Sequence, residues 1–247
     1  MKVIGVIPAR YRSSRFPGKP LADICGHPMI WWVYEQCKKV SELDEIYVAT
    51  DDERIAAVCR QLEMRVMMTC PDHHTGTDRV AEVASRVDGQ VFINIQGDEP
   101  VIEPEMIRQL IGLFQDPAVS FGTLKREITD PVEIAASSTV KVVTDRKGNG
   151  MYFSRNPIPS NQKDGKQARV FRHVGIYGYR KEFLLQFASM PPTELELGEG
   201  IEPLRALENG YPIRVAETHW DSIGVDLPEH IAMVEQYLNQ KREAEHW

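Results

Sequence analysis

The chain has 247 residues, enough for one sizeable core and too few for two independent large domains. Its hydrophobic share of 42% and charged share of 26% exclude a disordered tail, a collagen-like repeat or a coiled coil. A formal net charge of -7 argues against a general nucleic-acid binder, because phosphate backbones are held by surplus Lys and Arg; a small anion needs only a local basic pocket.

Val3 to Ile7 is a short apolar run that predicts a first strand, and Pro28 to Val40 has helical apolar spacing. Glu45 to Thr50 reads as a second strand, Asp52 to Met64 as a second amphipathic helix, and Arg65 to Thr69 as a third strand. A helix from Thr77 to Val87 opens with capping-type residues, Val91 to Ile95 is a central strand, and Pro104 to Phe114 is another helix. Alternating strands and helices predict an α/β class with a doubly wound, mostly parallel sheet. Ligands bind such sheets at the carboxyl ends of the strands, where IPAR, VATDD and NIQGDEP fall.

After about residue 118 the rhythm changes to strand pairs, which predicts a smaller β-rich insertion. Thr139 to Thr144 and Met151 to Arg155 flank a turn at Lys147-Gly148-Asn149-Gly150, and Val174 to Tyr179 follows. Pro157 to Gln167 is polar and turn-rich, an ordinary surface loop or one that closes over a site. The chain closes with a strand at PIRVAE, the loop SIGVD and a helix from Pro228 to about Glu243.

Cys25, Cys37, Cys59 and Cys70 share no CxxC spacing and read as reduced thiols. The opening MKVIGVIPAR is too short and too soon charged for a signal peptide, and no stretch approaches the roughly 20 apolar residues that span a bilayer. A cytoplasmic protein is expected.

Arg10, Arg12, Arg15 and Lys19 crowd the segment RYRSSRFPGK behind the first strand, with Ser13, Ser14 and Gly18 as small positions. Four cations and several backbone N–H donors at a strand end suit a triphosphate, and a solvated basic loop is the competing reading. Neither GxxxxGK[ST] nor GxGxxG is present, so the segment is not a Walker loop or a dinucleotide fingerprint. Asp98 in QGDEP follows an apolar strand, with Gly97 allowing close approach, and can hold a hard cation or cap a turn. Asp226 in SIGVDLPEH is a second candidate ligand or a helix N-cap ahead of Pro228, while Asp78 suits the start of its helix.

The string IPARYRSSRFPGKPLADICGHPMI resembles the N-terminal signature of the CMP-KDO synthetases, the 3-deoxy-manno-octulosonate cytidylyltransferases. The resemblance continues through VATDDERI, HHTGTDRVAEV, INIQGDEPVI, STVKVV, MYFSRNPIP, RHVGIYGYR, LRALENG and SIGVD, nearly the whole chain. It implies a nucleotide-diphospho-sugar transferase fold and transfer of CMP from CTP to the anomeric hydroxyl of KDO, with release of pyrophosphate, in lipopolysaccharide or capsule synthesis. It places Pro8, Ala9, Arg10, Arg15, Lys19, Thr77 and Asp98 on the nucleotide, with Arg10, Lys19, Asp98 and Asp226 catalytic. Mg2+ is implied on Asp98 and Asp226, and Gln96, Arg155, His173, Tyr177 and Glu202 are implied on the sugar. It further implies a homodimer, with residues 1–117 mainly binding nucleotide and about 118–210 binding sugar and joining the subunits.

One stretch departs from the family pattern: Ile201-Glu202-Pro203-Leu204-Arg205 stands where LEQLR is usual, so the expected glutamine is Pro203. With Glu199 upstream, a more acidic pocket selecting an amino-substituted KDO is an alternative to a neutral exchange. Another ulosonic acid, or a catalytically silent nucleotide-binding module, are the remaining alternatives. Phe16, where leucine is commoner, reads as a packing change.

Overall fold

Strand β1, Val3–Ala9, is an unbroken apolar run in which Val3, Ile4, Val6 and Ile7 are at most 2% exposed, as expected of a parallel strand covered on both faces. It opens the computed structural model, which describes residues 1–12, 15–160 and 168–245; Ser13, Ser14 and positions 161–167 of the expected polar loop lie outside the described residues. The chain forms two units, Met1–Arg108 together with Asp221–Trp247, and Gln109–Trp220.

In the first unit, the ribbon β2 (Asp23–Ile24) and β3 (His27–Pro28) leads into α1 (Met29–Lys38). There follow β4 (Glu45–Thr50), α2 (Glu53–Gln61), β5 (Val66–Met68), α3 (Gly76–Arg86), β6 (Val91–Asn94) and α4 (Pro104–Gly112), whose residues from Gln109 on count with the second unit. β1 pairs in parallel with β4 and β6, and β4 with β5, giving the order β6-β1-β4-β5. Every element expected before residue 118 is present, and β4 has the expected bounds. α2 starts one residue late because Asp52 is its cap, the carboxylate accepting from Arg54 N at 3.0 Å. At α3 the Thr75 hydroxyl accepts from Asp78 N while the Asp78 carboxylate accepts from Thr75 N, a capping box that explains Asp78.

The second unit contains β7 (Phe121–Ile128), α5 (Pro131–Ala135), β8 (Lys141–Thr144), β9 (Gly150–Ser154) and β10 (Val170–Arg180). It continues with α6 (Lys181–Ser189), α7 (Glu194–Glu199), α8 (Pro203–Glu208) and β11 (Arg214–Thr218). β7 runs antiparallel to β10 and parallel to β11, and β8 and β9 form the expected hairpin, with Gly148 at φ +81° in its turn. β7 was not expected. Its inward face carries Thr123 and Lys125, 0% and 9% exposed, so the strand lacks an apolar alternation.

α9 (His230–Glu245) returns the chain to the first unit, where Val234 and Leu238 pack with Ile24, Met29, Trp32, Val101 and Val225. Trp32 is anchored there by its ring N–H, which donates to Ile24 O at 2.8 Å.

Pro203 is the first residue of α8, where the missing N–H removes no helical bond and the fixed φ suits the turn. The same helix holds Arg205, 4% exposed, whose Nε donates to Glu196 of α7 at 2.8 Å and whose Nη2 meets the second carboxylate oxygen. Breaking one side of such a pair strands the other charge. Arg205→Met alone should therefore lower unfolding stability by about 3–5 kcal/mol, and adding Glu196→Leu should recover part of it, measured by urea unfolding.

Candidate active site

The first unit holds a cavity of about 400 Å³ at the carboxyl ends of β1 and β6. Its wall is Pro8, Ala9 and Arg10 at the end of β1, the cations Arg12, Arg15 and Lys19 of the following loop, and Gln96, Gly97 and Asp98 after β6. Gly76, the first residue of α3, adds a helix N-terminus, where unpaired N–H groups favour an anion. Thr77 is 3% exposed and sits beside Asn94 Nδ2 at 3.5 Å, so its helix neighbour Gly76 is the wall residue. Arg12 and Gly76 join the site through the fold, and only the charge crowding behind β1 signals the first of them in the sequence.

The basic loop is held in shape by its own chain. Gly18 N donates to Tyr11 O at 2.8 Å, and Gly18 adopts φ +74°, a left-handed turn that favours glycine. The Arg54 guanidinium lies 3.3 Å from the Tyr11 ring centroid and is itself clamped by both Asp52 carboxylate oxygens at 2.9 and 2.7 Å. Arg10 is partly enclosed; burial first, then the charge of Arg79, pulls its pKa below the ordinary arginine value.

Asp98 and Asp226 converge on one ammonium. Lys19 Nζ stands 2.7 Å from Asp98 Oδ2 and 3.8 Å from Asp226 Oδ1, and Arg15 Nη2 donates to the same Asp226 oxygen at 2.9 Å. The backbone closes the arrangement, Val225 N donating to Asp98 O at 2.8 Å. Asp226 is not the cap of α9, which begins at His230, and the Asp98 side chain is spent on Lys19 rather than on a turn. Gly97 is required by contact: a Cβ there would lie 2.7 Å from the Pro8 carbonyl oxygen. The two carboxylates are a donor set of the kind magnesium uses, which takes one or two carboxylates with water and phosphate oxygens.

The residues expected on the sugar, apart from Gln96, lie in the second unit. The Arg155 guanidinium donates to the carbonyls of Glu199, Ser137 and Gly200 at 2.7, 2.9 and 3.3 Å, which among the described residues takes three of its five N–H groups. The Glu199 carboxylate accepts from Arg155 N, Ser154 Oγ and Tyr152 Oη, and the first of these bonds holds it below the usual carboxylate range. Lys141, fully buried, donates to the carbonyls of Ala136, Thr139 and Arg155, which fixes both sides of the Arg155 backbone. The His173 ring lies edge-on to Phe153 and 5.4 Å from the Tyr177 centroid, and burial pulls its pKa down to about 3. Glu202 immediately precedes α8.

A strand-end cavity lined by cations, beside paired aspartates in an α/β unit, defines a nucleotide-handling transferase. The cytidylyltransferase family model matches residues 4–218. The chain is 48% identical over 251 residues to the 3-deoxy-manno-octulosonate cytidylyltransferase of Geobacter metallireducens, covering 97% of this chain and 99% of the relative. It is 50% identical over 249 residues to the same enzyme of Geobacter sulfurreducens, covering 96% and 100%. A solved CMP:2-keto-3-deoxy-manno-octonic acid synthetase complexed with CTP superposes with TM-score 0.93 at 42% identity, over 98% of this chain and all of the other. The chain belongs to the 3-deoxy-manno-octulosonate cytidylyltransferase family. The fold alone is shared with the 4-diphosphocytidyl-2C-methyl-D-erythritol synthase of Anaerococcus prevotii, at TM-score 0.64 and 15% identity over 96% and 99% of the two chains.

Gly97→Ala should displace the strand-end backbone and raise the Kd for CTP by about tenfold or more, read by calorimetry, since a 2.7 Å contact with a carbonyl cannot be kept. His173 predicts a pH dependence. With a folded pKa near 3 and an ordinary value of 6.5, the unfolded chain binds the proton that the folded chain refuses. Stability should fall as pH drops from 6.5 toward 3, by up to about 1.4 kcal/mol per unit through this residue, and His173→Gln should flatten that slope in urea titrations.

Proposed function

We propose that this chain transfers CMP from CTP to the anomeric 2-hydroxyl of 3-deoxy-D-manno-octulosonate. The observation that carries the reading is the convergence of Asp98, Asp226 and Lys19 beside a cavity ringed by Arg10, Arg12 and Arg15. The sugar oxygen attacks the α-phosphorus, its new P–O bond forms as the bond to the bridging oxygen breaks, and pyrophosphate leaves. Arg10, Arg12, Arg15 and Lys19 neutralise the triphosphate and the departing charge, and the α3 N-terminus adds backbone donors.

Asp98 and Asp226 would hold Mg2+, which supplies charge neutralisation at phosphate oxygens and a lowered pKa for the attacking hydroxyl. Lys19, now shared by the two carboxylates, is then free to donate to phosphate. On the sugar side, within the second unit, the Arg155 guanidinium is the group suited to the substrate carboxylate, and His173, Tyr177 and Glu202 supply polar contacts; Gln96 lines the cavity of the first unit.

Plain KDO is the favoured sugar over an amino-substituted one. Glu199, the extra acid that an ammonium group would need, is committed to Ser154, Tyr152 and the Arg155 backbone. A silent nucleotide-binding module has no use for paired aspartates 3.8 Å or less from one lysine. A cytoplasmic homodimer is the working form we propose, consistent with the lack of any helix among the described residues long and apolar enough to cross a membrane.

Pyrophosphate release with CTP and magnesium should require plain KDO. No release with any ulosonic acid removes the proposal, and release with the amino sugar alone moves the specificity. Asp98→Asn and Asp226→Asn should each cut kcat by about 100-fold or more, and the double variant should lose little beyond either single one, because the two act as a unit.

A further inference from the structure

Strand β10 loses even pairing with β7 at one place. His173 lies opposite Lys125 and Val174 opposite Leu124, but the next matched pair is Tyr177 with Thr123, so Gly175 and Ile176 are looped out. Four residues of extended strand cover about 13 Å and two cover about 7 Å. The bulge therefore reduces the interval between His173 and Tyr177 to that between Lys125 and Thr123, and the two rings stand 5.4 Å apart at 36°. Without it they would be too far apart along the strand to touch.

A bulge leaves carbonyls outside the ladder, and buried carbonyls need donors. Thr123 Oγ1, on a fully buried residue, lies 2.8 Å from Ile176 O, 3.1 Å from Val174 O and 3.0 Å from His173 Nε2. A hydroxyl has one proton and two lone pairs, and carbonyls only accept. The hydroxyl proton goes to Ile176 O, the shorter contact. The bond with His173 then runs from the ring to the hydroxyl, Nε2–H donating to Oγ1, which leaves the lone pair of the neutral imidazole on Nδ1.

We infer that Thr123 is a positioning residue for the sugar: its hydroxyl pins the bulge that brings His173 against Tyr177 and fixes His173 as the Nε2–H tautomer, with Nδ1 as an acceptor for a sugar hydroxyl. This rests on placing His173 and Tyr177 on the sugar, as proposed above. Lys125 does not compete for the ring, because its ammonium donates to Thr144 Oγ1 at 2.7 Å and lies over Phe171.

The test uses the full chain and its Thr123→Val and Thr123→Ser variants. Valine keeps the shape and removes the hydroxyl, so the KM for KDO should rise about tenfold or more while the KM for CTP stays within about twofold; serine should restore the parent values. A KDO KM within about twofold of the parent for the valine variant overturns the inference. Nitrogen-15 NMR of the ligand-free parent, labelled at histidine, reads the tautomer directly: Nε2–H is expected, and Nδ1–H overturns the inference even if the valine variant does not fold. Should the parent release no pyrophosphate with any sugar, the proposed function is what fails, and the tautomer spectrum decides the network by itself.

Discussion

The Lys19 ammonium, shared by Asp98 and Asp226, is the interaction on which the strand-end cavity of the first unit depends. Two neighbouring carboxylates repel each other, and the ammonium between them offsets that repulsion by its opposite charge. Around that charge the backbone is arranged for approach. Gly97 touches the Pro8 carbonyl through the space a side chain would take, and Val225 N bonds Asp98 O, so the strand ends of β1 and β6 and the segment before α9 are fixed together. The same lysine lines the cavity at the strand ends, together with Arg10, Arg12 and Arg15.

The second unit solves a different problem with the opposite material. There, polar groups are placed inside and paired: Lys141 with three backbone carbonyls, and the Ile176 carbonyl of the β10 bulge with the Thr123 hydroxyl. A buried donor with all its bonds made has few alternative positions, since each one would leave a group unpaired at a cost of about 1–3 kcal/mol. Rigidity in this unit comes from completed hydrogen bonds as much as from apolar packing. The sugar candidates stand on that frame.

Much of the first unit is legible in the sequence because its strands are continuous apolar runs and its helices carry their own caps, as at Asp52 and Thr75. β7 escapes because Thr123 and Lys125 face inward, and their burial makes sense only with the partners that β8 and β10 bring. The cationic loop is visible as charge crowding, whereas its pairing with Asp226 spans 211 positions and leaves no local pattern. Glu199 is the clearest case of a residue that reads one way and acts another. In the sequence it stands behind one alternative, an acidic pocket for an amino-substituted sugar, and the fold uses it to hold the backbone of Arg155, 44 positions away.

Because the first unit is completed by Asp221–Trp247, the aspartate pair cannot form until that segment has been made. During synthesis Asp98 emerges early with Lys19, but Asp226 and the α9 residues that pack on Trp32 emerge only after the whole of the second unit. N-terminal segments tend to fold first as they leave the ribosome. Until Asp226 emerges, the nascent first unit holds Lys19 with one carboxylate, and the second carboxylate arrives only after the second unit has been made, so that a polypeptide whose synthesis stalls short of Asp226 lacks the pair.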